Sequence, residues 1–338
     1  MKSVILNESL ATLGFPELTP VSSLLSIAHL FGTSRNRCGV YFLAFCSELF
    51  YIGQSVDVVK RFAQHRRVHD DIVGFSFIPL PKSKLDNVER AMIFQVESLG
   101  FRITNAVHVT NITGDTDLDL IISPSEQEDW IDDPLTFNSA QTDSDLPRIL
   151  LPETQQARFF KHYSRFKKHP LNKRALSLLK QYIWHCIPMP RRTEYSFWSV
   201  SCMPSTNLTT WPRLLCVNAA VMELFVVGAE KQNAESLWSF VNVAEDTLLE
   251  HWHSLKNLTK AFPFVRVIHS GYRDAGQHQV TLHTYDDAPM EQLLTDPGVC
   301  KAAATLSLRV MRKRATIYGK YHCVQLANQV FTADEEVS

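Results

Sequence analysis

Residues 39–65 read GVYFLAFCSELFYIGQSVDVVKRFAQH. Two apolar, aromatic and β-branched runs, GVYFLAFC and LFYIG, flank Ser47-Glu48 and predict a short β-hairpin. The segment VDVVKRFAQH then predicts a helix, with Ser55 as its cap and Asp57 in its positively polarised first turn. Arg61 and His65 are four apart in it and share a face. Downstream, FSFIPLP (75–81) alternates like a strand closing the sheet. A second helix is expected from Lys84 to Leu99, stopped by Gly100. On that helix Glu89 shares a face with Leu85, Met92, Ile93 and Val96. An ionised carboxylate among apolar residues costs on the order of several kcal/mol unless it is paired or bound to a cation.

These residues carry a family resemblance. Gly39-Val40-Tyr41, Tyr51-Ile52-Gly53, Gln54-Ser55-x-Asp57, Arg61-x-x-x-His65, then Glu89 and Asn105 stand in the order and spacing of the GIY-YIG endonuclease superfamily. Each piece alone is a chance tripeptide or less, and the joint order is what resembles the family. The resemblance spans about residues 36–105, with Val40 where the family usually has Ile.

What the resemblance implies is hydrolysis of a nucleic-acid phosphodiester with one divalent metal. Glu89 would hold Mg²⁺ or Mn²⁺, hard cations that take oxygen ligands and retain waters. Arg61, with its planar donor fork, would clamp the scissile phosphate. Tyr41 resembles the general base, and a phenol with an ordinary pKa near 10 needs help at neutral pH. His65 is the expected helper, accepting or relaying the proton. Tyr51 would position water or phosphate. Gly39, Gly53 and Asn105 take structural roles at the site, Gly53 by keeping space where chain and substrate come close.

Outside this segment, charge is the best ruler. The 338 residues carry 34 Lys and Arg against 35 Asp and Glu, a net charge of −1 that excludes a uniformly basic protein. The total hides opposed blocks. Residues 103–147 hold ten acids and no Lys or Arg, whereas residues 148–192 hold eleven bases against the single Glu153. Residues 297–333 have no acid and six Lys or Arg.

The acidic block has Pro, Gly, Ser and Thr without sustained periodicity and reads as a linker. The expected layout is an N-terminal helical extension (1–35), the GIY-YIG module (36–110), an acidic linker (111–148) and a basic C-terminal domain (149–333). The expected fold class is α+β, a small three-stranded sheet with helices followed by a second, larger α+β domain. In that domain, 154–184 predicts helix in two pieces broken at Pro170. After it the order strand, strand, helix reads twice over, which hints at a duplication: 195–202, 213–227 and 234–262, then 264–270, 277–285 and 290–311. Closing strands are expected within 315–330.

The basic block RFFKHYSRFKKHPLNKR (158–174) interleaves Phe159, Phe160, Tyr163 and Phe166 with Arg158, Lys161, Arg165, Lys167, Lys168, Lys173 and Arg174. The cations would neutralise phosphates. The aromatics would either stack on unpaired bases or form the core face of a cationic helix. Lys60, Arg66 and Arg67 flank the module's site and are expected on neighbouring phosphates. The stretch 308–322 is expected to add a second basic patch or a solvated helix end. The acidic linker would act as a spacer, or fold back over the basic block and compete with DNA.

Other classes find little support. No apolar run approaches the roughly 18 residues of a membrane span, and the N-terminus lacks a signal-peptide pattern. Seven scattered cysteines without a CxxC pair suit reduced thiols in a cytoplasm. The histidines between 251 and 283 give no ligand set. The resemblance implies a metal-dependent endonuclease acting on DNA, and the further expectations are no membrane partner and a protein partner through the C-terminal domain. The alternative is a non-catalytic nucleic-acid-binding or regulatory protein that uses the module as a docking platform.

Overall fold

The computed structural model describes residues 10–32, 36–47, 49–99, 101, 103, 116–137, 146, 153–206, 208–230, 235–269, 272, 275, 276 and 278–332. The chain is mixed α/β and divides into two compact units, Met1–Gly114 and Asp115–Ser338.

The first unit is built on β2 (Gly39–Phe45), the central strand, every residue of which is buried. Antiparallel partners are β3 (Phe50–Ser55) on one side and β4 (Ile72–Pro79) on the other. A two-residue strand β1 (Thr19–Pro20) adds to β4, giving the order β1-β4-β2-β3 and leaving β3 at an edge. Alternation then assigns the faces. Tyr41, Leu43 and Phe45 pack with Val58 and Phe62 of α1 (Val58–Val68). Val40, Phe42 and Ala44 pack with Leu85, Met92, Ile93 and Val96 of α2 (Leu85–Ser98).

Two expectations change here. Helix α1 is capped by Asp57, whose side chain accepts from Lys60 N at 3.3 Å, while Ser55 Oγ accepts from Asp57 N at 3.0 Å. Ser55 is held in the last position of β3 and orients the cap without being it. The sheet is four-stranded because the N-terminal segment belongs to it. Leu10, Phe15, Val21 and Ile27 are buried in the unit's cores, and Ser76 Oγ donates to Pro16 O at 2.7 Å. The described part of 1–35 is therefore an integral cover of the unit, with helix at residues 10–12, a 3-10 turn at Ala28–Phe31 and the short strand β1 between them.

The second unit centres on an antiparallel six-stranded sheet, order β5-β6-β7-β8-β10-β9. Its strands are β5 (Trp198–Cys202), β6 (Arg213–Ala219), β7 (Met222–Ala229), β8 (Leu237–Ala244), β9 (Arg266–Ile268) and β10 (Gln279–Tyr285). One face carries the main core with the helices α3 (Pro124–Asp132), α4 (Glu153–Lys167), α5 (Asn172–Cys186), α6 (Pro190–Thr193), α7 (Glu245–Trp252), α8 (Leu255–Ala261), α9 (Asp287–Thr295), α10 (Pro297–Lys313) and α11 (Val324–Phe331) packed around it. Tyr182 of α5 stacks on Phe225 of β7 with ring centroids 4.7 Å apart and planes 8° apart. The opposite face holds a smaller cluster of Cys216, Val226, Trp238 and Phe240.

The break near Pro170 between two helices appears as expected. The pattern 213–227 instead forms a hairpin, turned at Ala220 with φ 48°. LWSFVNVA, rich in aromatic and β-branched residues, is strand β8 where a helix was expected. The 315–330 region ends in helix α11, because Val324, Ala327, Val330 and Phe331 recur at helical spacing and are all buried. The sheet order gives four meandering strands then two, so no duplication is seen.

Over the described residues 116–137 the expected acidic linker is replaced by packed structure. Leu118, Ile122 and Trp130 sit in the second unit's core, fully buried. Ser123 caps α3 and forms a reciprocal capping box with Glu126. Two of the acids are paired within the unit: Asp119 with Arg312 at 2.9 Å and Glu126 with Arg192 at 2.8 Å. If this segment is structural, Trp130→Ala costs about 3–5 kcal/mol and lowers the urea midpoint of the second unit. A variant with the wild-type midpoint contradicts this placement.

Candidate active site

The hairpin register puts Gly53 directly opposite Tyr41. A β-carbon on Gly53 would lie 2.5 Å from Tyr41 Oη and 2.6 Å from the Tyr51 ring, so only glycine leaves room for the two tyrosines. Gly39 is constrained in the same way, since a β-carbon there would fall 2.0 Å from Ile78 O of β4. Both glycines of the motif are close-approach positions.

Tyr41 is wholly buried, yet its hydroxyl is not stranded. Arg61 Nε donates to Tyr41 Oη at 3.3 Å, and His65 Nε2 lies 2.8 Å from the same oxygen. Both partners come from one face of α1, one turn apart, as their spacing predicts. Tyr51 completes the group: its ring centroid is 4.9 Å from that of His65 and 6.0 Å from that of Tyr41. The four side chains expected to act on phosphate and water thus form one cluster on the α1 face of the sheet.

The electrostatics of the cluster are specific. Burial, reinforced by Tyr51, holds the Tyr41 phenol well above the ordinary phenol range, with Arg61 opposing it. Burial first, then the charges of Arg61 and His69, lowers the His65 imidazole to about 4. Hydrogen bonding to Tyr41 raises the Arg61 guanidinium further. At neutral pH the arrangement is a neutral phenol between a guanidinium donor and a neutral imidazole. Its hydrogen can be given to Nε2 while its oxygen accepts from Arg61.

Glu89 stands apart from this cluster. It is 7% exposed, among the apolar residues of α2, and α2 covers the other face of the sheet. One of its oxygens accepts from Gln54 Nε2 at 2.9 Å. Gln54 follows Gly53 in β3 and pairs across from Val40, so its side chain goes to the α2 face. The edge strand β3 therefore separates the two halves, Gly53 serving the tyrosines and Gln54 the carboxylate. Gln54 is the residue whose role sequence reasoning missed, although a polar side chain on the apolar face at a strand end was a readable signal. Asn105 lies outside the described residues.

The flanking cations divide. Lys60 is 83% exposed, with Asp57 at 4.0 Å, and Arg67 is exposed. Arg66 departs from its expected role on phosphate. Its guanidinium donates to the carbonyls of Leu24, Asp70, Val21 and Ile72, stitching the N-terminal segment to the sheet. In the second unit Arg174 is likewise engaged by Asp286 and Asp287. The expected patch at 308–322 is also spent in part, since Arg309 pairs with Asp246 at 2.8 Å and Arg312 with Asp119. Arg158, Lys161, Arg165, Lys167, Lys168 and Lys173 are exposed. Among the aromatics of α4, Phe166 is core and Phe160 is 63% exposed, so both readings of that segment hold for different residues.

No protein-family model matches the chain, and no curated protein or solved structure is significantly similar to it. Among the described residues no helix is long and apolar enough to cross a membrane.

Two outcomes follow from the cluster. Gly53→Ala drives the two phenols apart and is expected to destabilise the first unit by about 1–3 kcal/mol, read as a lower thermal midpoint. For His65, the unfolded imidazole takes a proton near pH 6.5 and the folded one near 4. Between these values the unfolded state binds more protons, so the contribution of neutral His65 is complete above about 6.5 and is lost as pH falls toward 4. Urea unfolding across that window should show a shallower pH slope in His65→Gln. An identical slope in both proteins rules out a buried neutral His65.

Proposed function

We propose that the first unit is a GIY-YIG-type nuclease module that hydrolyses DNA phosphodiesters. The observation that supports this reading most directly is the Tyr41 hydroxyl held between Arg61 Nε and His65 Nε2. A buried phenol with a basic nitrogen on one side and a guanidinium on the other is built to move a proton beside an anion.

In this reading an incoming water gives its proton to Tyr41 Oη as the phenol passes its own to His65 Nε2. Hydroxide adds to phosphorus, and the bond from phosphorus to the leaving alkoxide breaks. Because burial disfavours tyrosinate, the phenol works as a relay, and a base ionised in advance is not required. Arg61 stabilises the charge that builds on the phosphate oxygens, with Tyr51 orienting phosphate or water. A bound phosphate offsets the Arg61 charge that helps depress His65, which makes the imidazole a better acceptor when substrate is present.

In this reading Glu89 is the residue that would hold a hard divalent cation, through a carboxylate oxygen. Among the described residues no group of three or more His, Cys, Asp or Glu is placed to hold a metal. Glu89, fixed by Gln54, offers a single carboxylate, the way Mg²⁺ is held when it keeps most of its waters and takes the rest of its ligands from phosphate. When bound there, Mg²⁺ or Mn²⁺ would neutralise phosphate charge and stabilise the leaving oxygen.

The test is cleavage of supercoiled plasmid, single-stranded DNA and RNA with Mg²⁺, Mn²⁺ or EDTA. Wild-type cutting should vanish with EDTA and in Glu89→Ala. Tyr41→Phe should lower kcat/KM about 10²–10⁴-fold with binding retained. The acid limb of kcat/KM should lie near the pH of about 4 at which free His65 protonates. Binding without metal-dependent cleavage on any of these substrates would sink the reading and favour a docking platform.

A further inference from the structure

The second unit contains a cleft of about 440 Å³ at edge strand β5. Its floor is the sheet face turned away from the main core, with Ser201 of β5 and Cys216 and Asn218 of β6. Its walls are aromatic: Phe159 of α4 on one side, Tyr318 and Tyr321 on the other. The two tyrosine rings are 6.5 Å apart with planes 39° apart, so neither covers the other face to face. Tyr321 is 43% exposed.

The charge of the cleft is separated by depth. At the base, Arg213 pairs with both oxygens of Glu223, and Tyr272 Oη donates to Glu223 Oε2 at 2.8 Å, leaving the floor neutral overall. The Arg213 guanidinium is also beside the buried Cys216 thiol, which fixes it at the base of the cleft. His162 uses Nδ1 on Met203 O at 3.1 Å, which leaves Nε2 for a ligand. At the rim the sign is positive. Arg158 lies 5.5 Å over the Phe159 ring and reaches Lys320 O at 3.5 Å, and Lys320 Nζ lies 5.1 Å over the Tyr321 ring. From Arg158 a stripe of exposed cations continues along α4 and its end at steps of three and four: Lys161, Arg165, Lys168.

A neutral floor with donors and acceptors, flat aromatic walls and a cationic rim match a planar polar heterocycle that carries a phosphate outside the pocket. The volume lies in the range of small-molecule sites, and rings on both sides are what base stacking uses. We propose that this cleft is a nucleotide site that seats one base between Phe159 and the Tyr318/Tyr321 wall, with its phosphate on Arg158 and Lys320. The nucleotide is either free or one unpaired residue of a strand whose other phosphates follow the α4 stripe. The site lies in the second unit and stands whether or not the first unit cuts DNA.

The test uses the full chain in EDTA, so that cleavage plays no part. The four deoxynucleoside monophosphates are titrated by calorimetry. A fluorescent single-stranded oligonucleotide of mixed sequence and its duplex are titrated by anisotropy. Tyr321→Ala and Arg158→Glu alter exposed positions, and circular dichroism checks their fold. Tyr321→Ala is expected to weaken binding at least about fivefold, the lower end for one lost base stack, and Arg158→Glu to weaken it and flatten its salt dependence. Binding of mononucleotides that both variants weaken supports a free-nucleotide site. Binding of the single strand alone, weakened in both, supports an unpaired base. Wild-type affinity in both variants, no binding of either probe, or a duplex bound as tightly as the single strand overturns the proposal.

Discussion

A hydroxyl at the centre of a sheet has to find its hydrogen bonds locally, and Tyr41 sets that condition for the first unit. Its strand is buried along its whole length, so in the free protein the phenol oxygen is satisfied by protein groups, and leaving a buried hydroxyl unsatisfied costs roughly 1–3 kcal/mol. The neighbouring elements are arranged around this need. Gly53 clears the space over which the ring lies, α1 crosses the same face, and its two polar side chains one turn apart reach the one oxygen. The partners that satisfy the phenol are also the ones that the proposed reaction uses. A guanidinium and an imidazole are costlier ways to satisfy a hydroxyl than a backbone carbonyl, and that choice of partners is hard to explain by packing alone.

The same economy of position explains why much of this unit was legible in the sequence. Helical spacing fixes Arg61 and His65 on one face without knowledge of the fold, and Glu89 among Leu85, Met92, Ile93 and Val96 reads as a buried carboxylate from periodicity alone. Which face of the sheet each helix covers was not legible. It follows from the β2 register, in which Tyr41 and Val40 point opposite ways, and that separation is what puts Gln54 on the Glu89 side and Gly53 on the tyrosine side. The N-terminal cover was missed because a two-residue strand and an irregular chain have no period to detect, although buried Phe15 and Val21 hold it in place.

In the second unit the misreadings have a common cause. Segment 234–262 joins a strand to two helices with no glycine or proline between them, so composition alone merged them. The acidic block looked like a linker because its apolar residues follow no sustained period among Pro, Gly, Ser and Thr. Three of them, Leu118, Ile122 and Trp130, are placed so that a short turn and one capped helix bury them all. Burial of a few large side chains decides whether an acidic segment folds, and net charge does not.

Charge then takes on a different meaning for partners. Asp119 and Glu126 neutralise Arg312 and Arg192 within the unit, and Asp246 and Asp287 do the same for Arg309 and Arg174. These pairs remove cations that a count along the chain assigned to phosphate. Among the cations that stay exposed, Arg158, Lys161 and Arg165 form a stripe on α4, and the aromatic cleft opens beside Arg158 and Phe159 of that helix. Charges along one helix lie within a Debye length of about 8 Å of their neighbours at physiological salt, so the stripe acts as one local field while the whole molecule stays near neutral. A near-zero total is therefore compatible with an anionic partner, provided that partner is read locally and engages the exposed cations of this one helix.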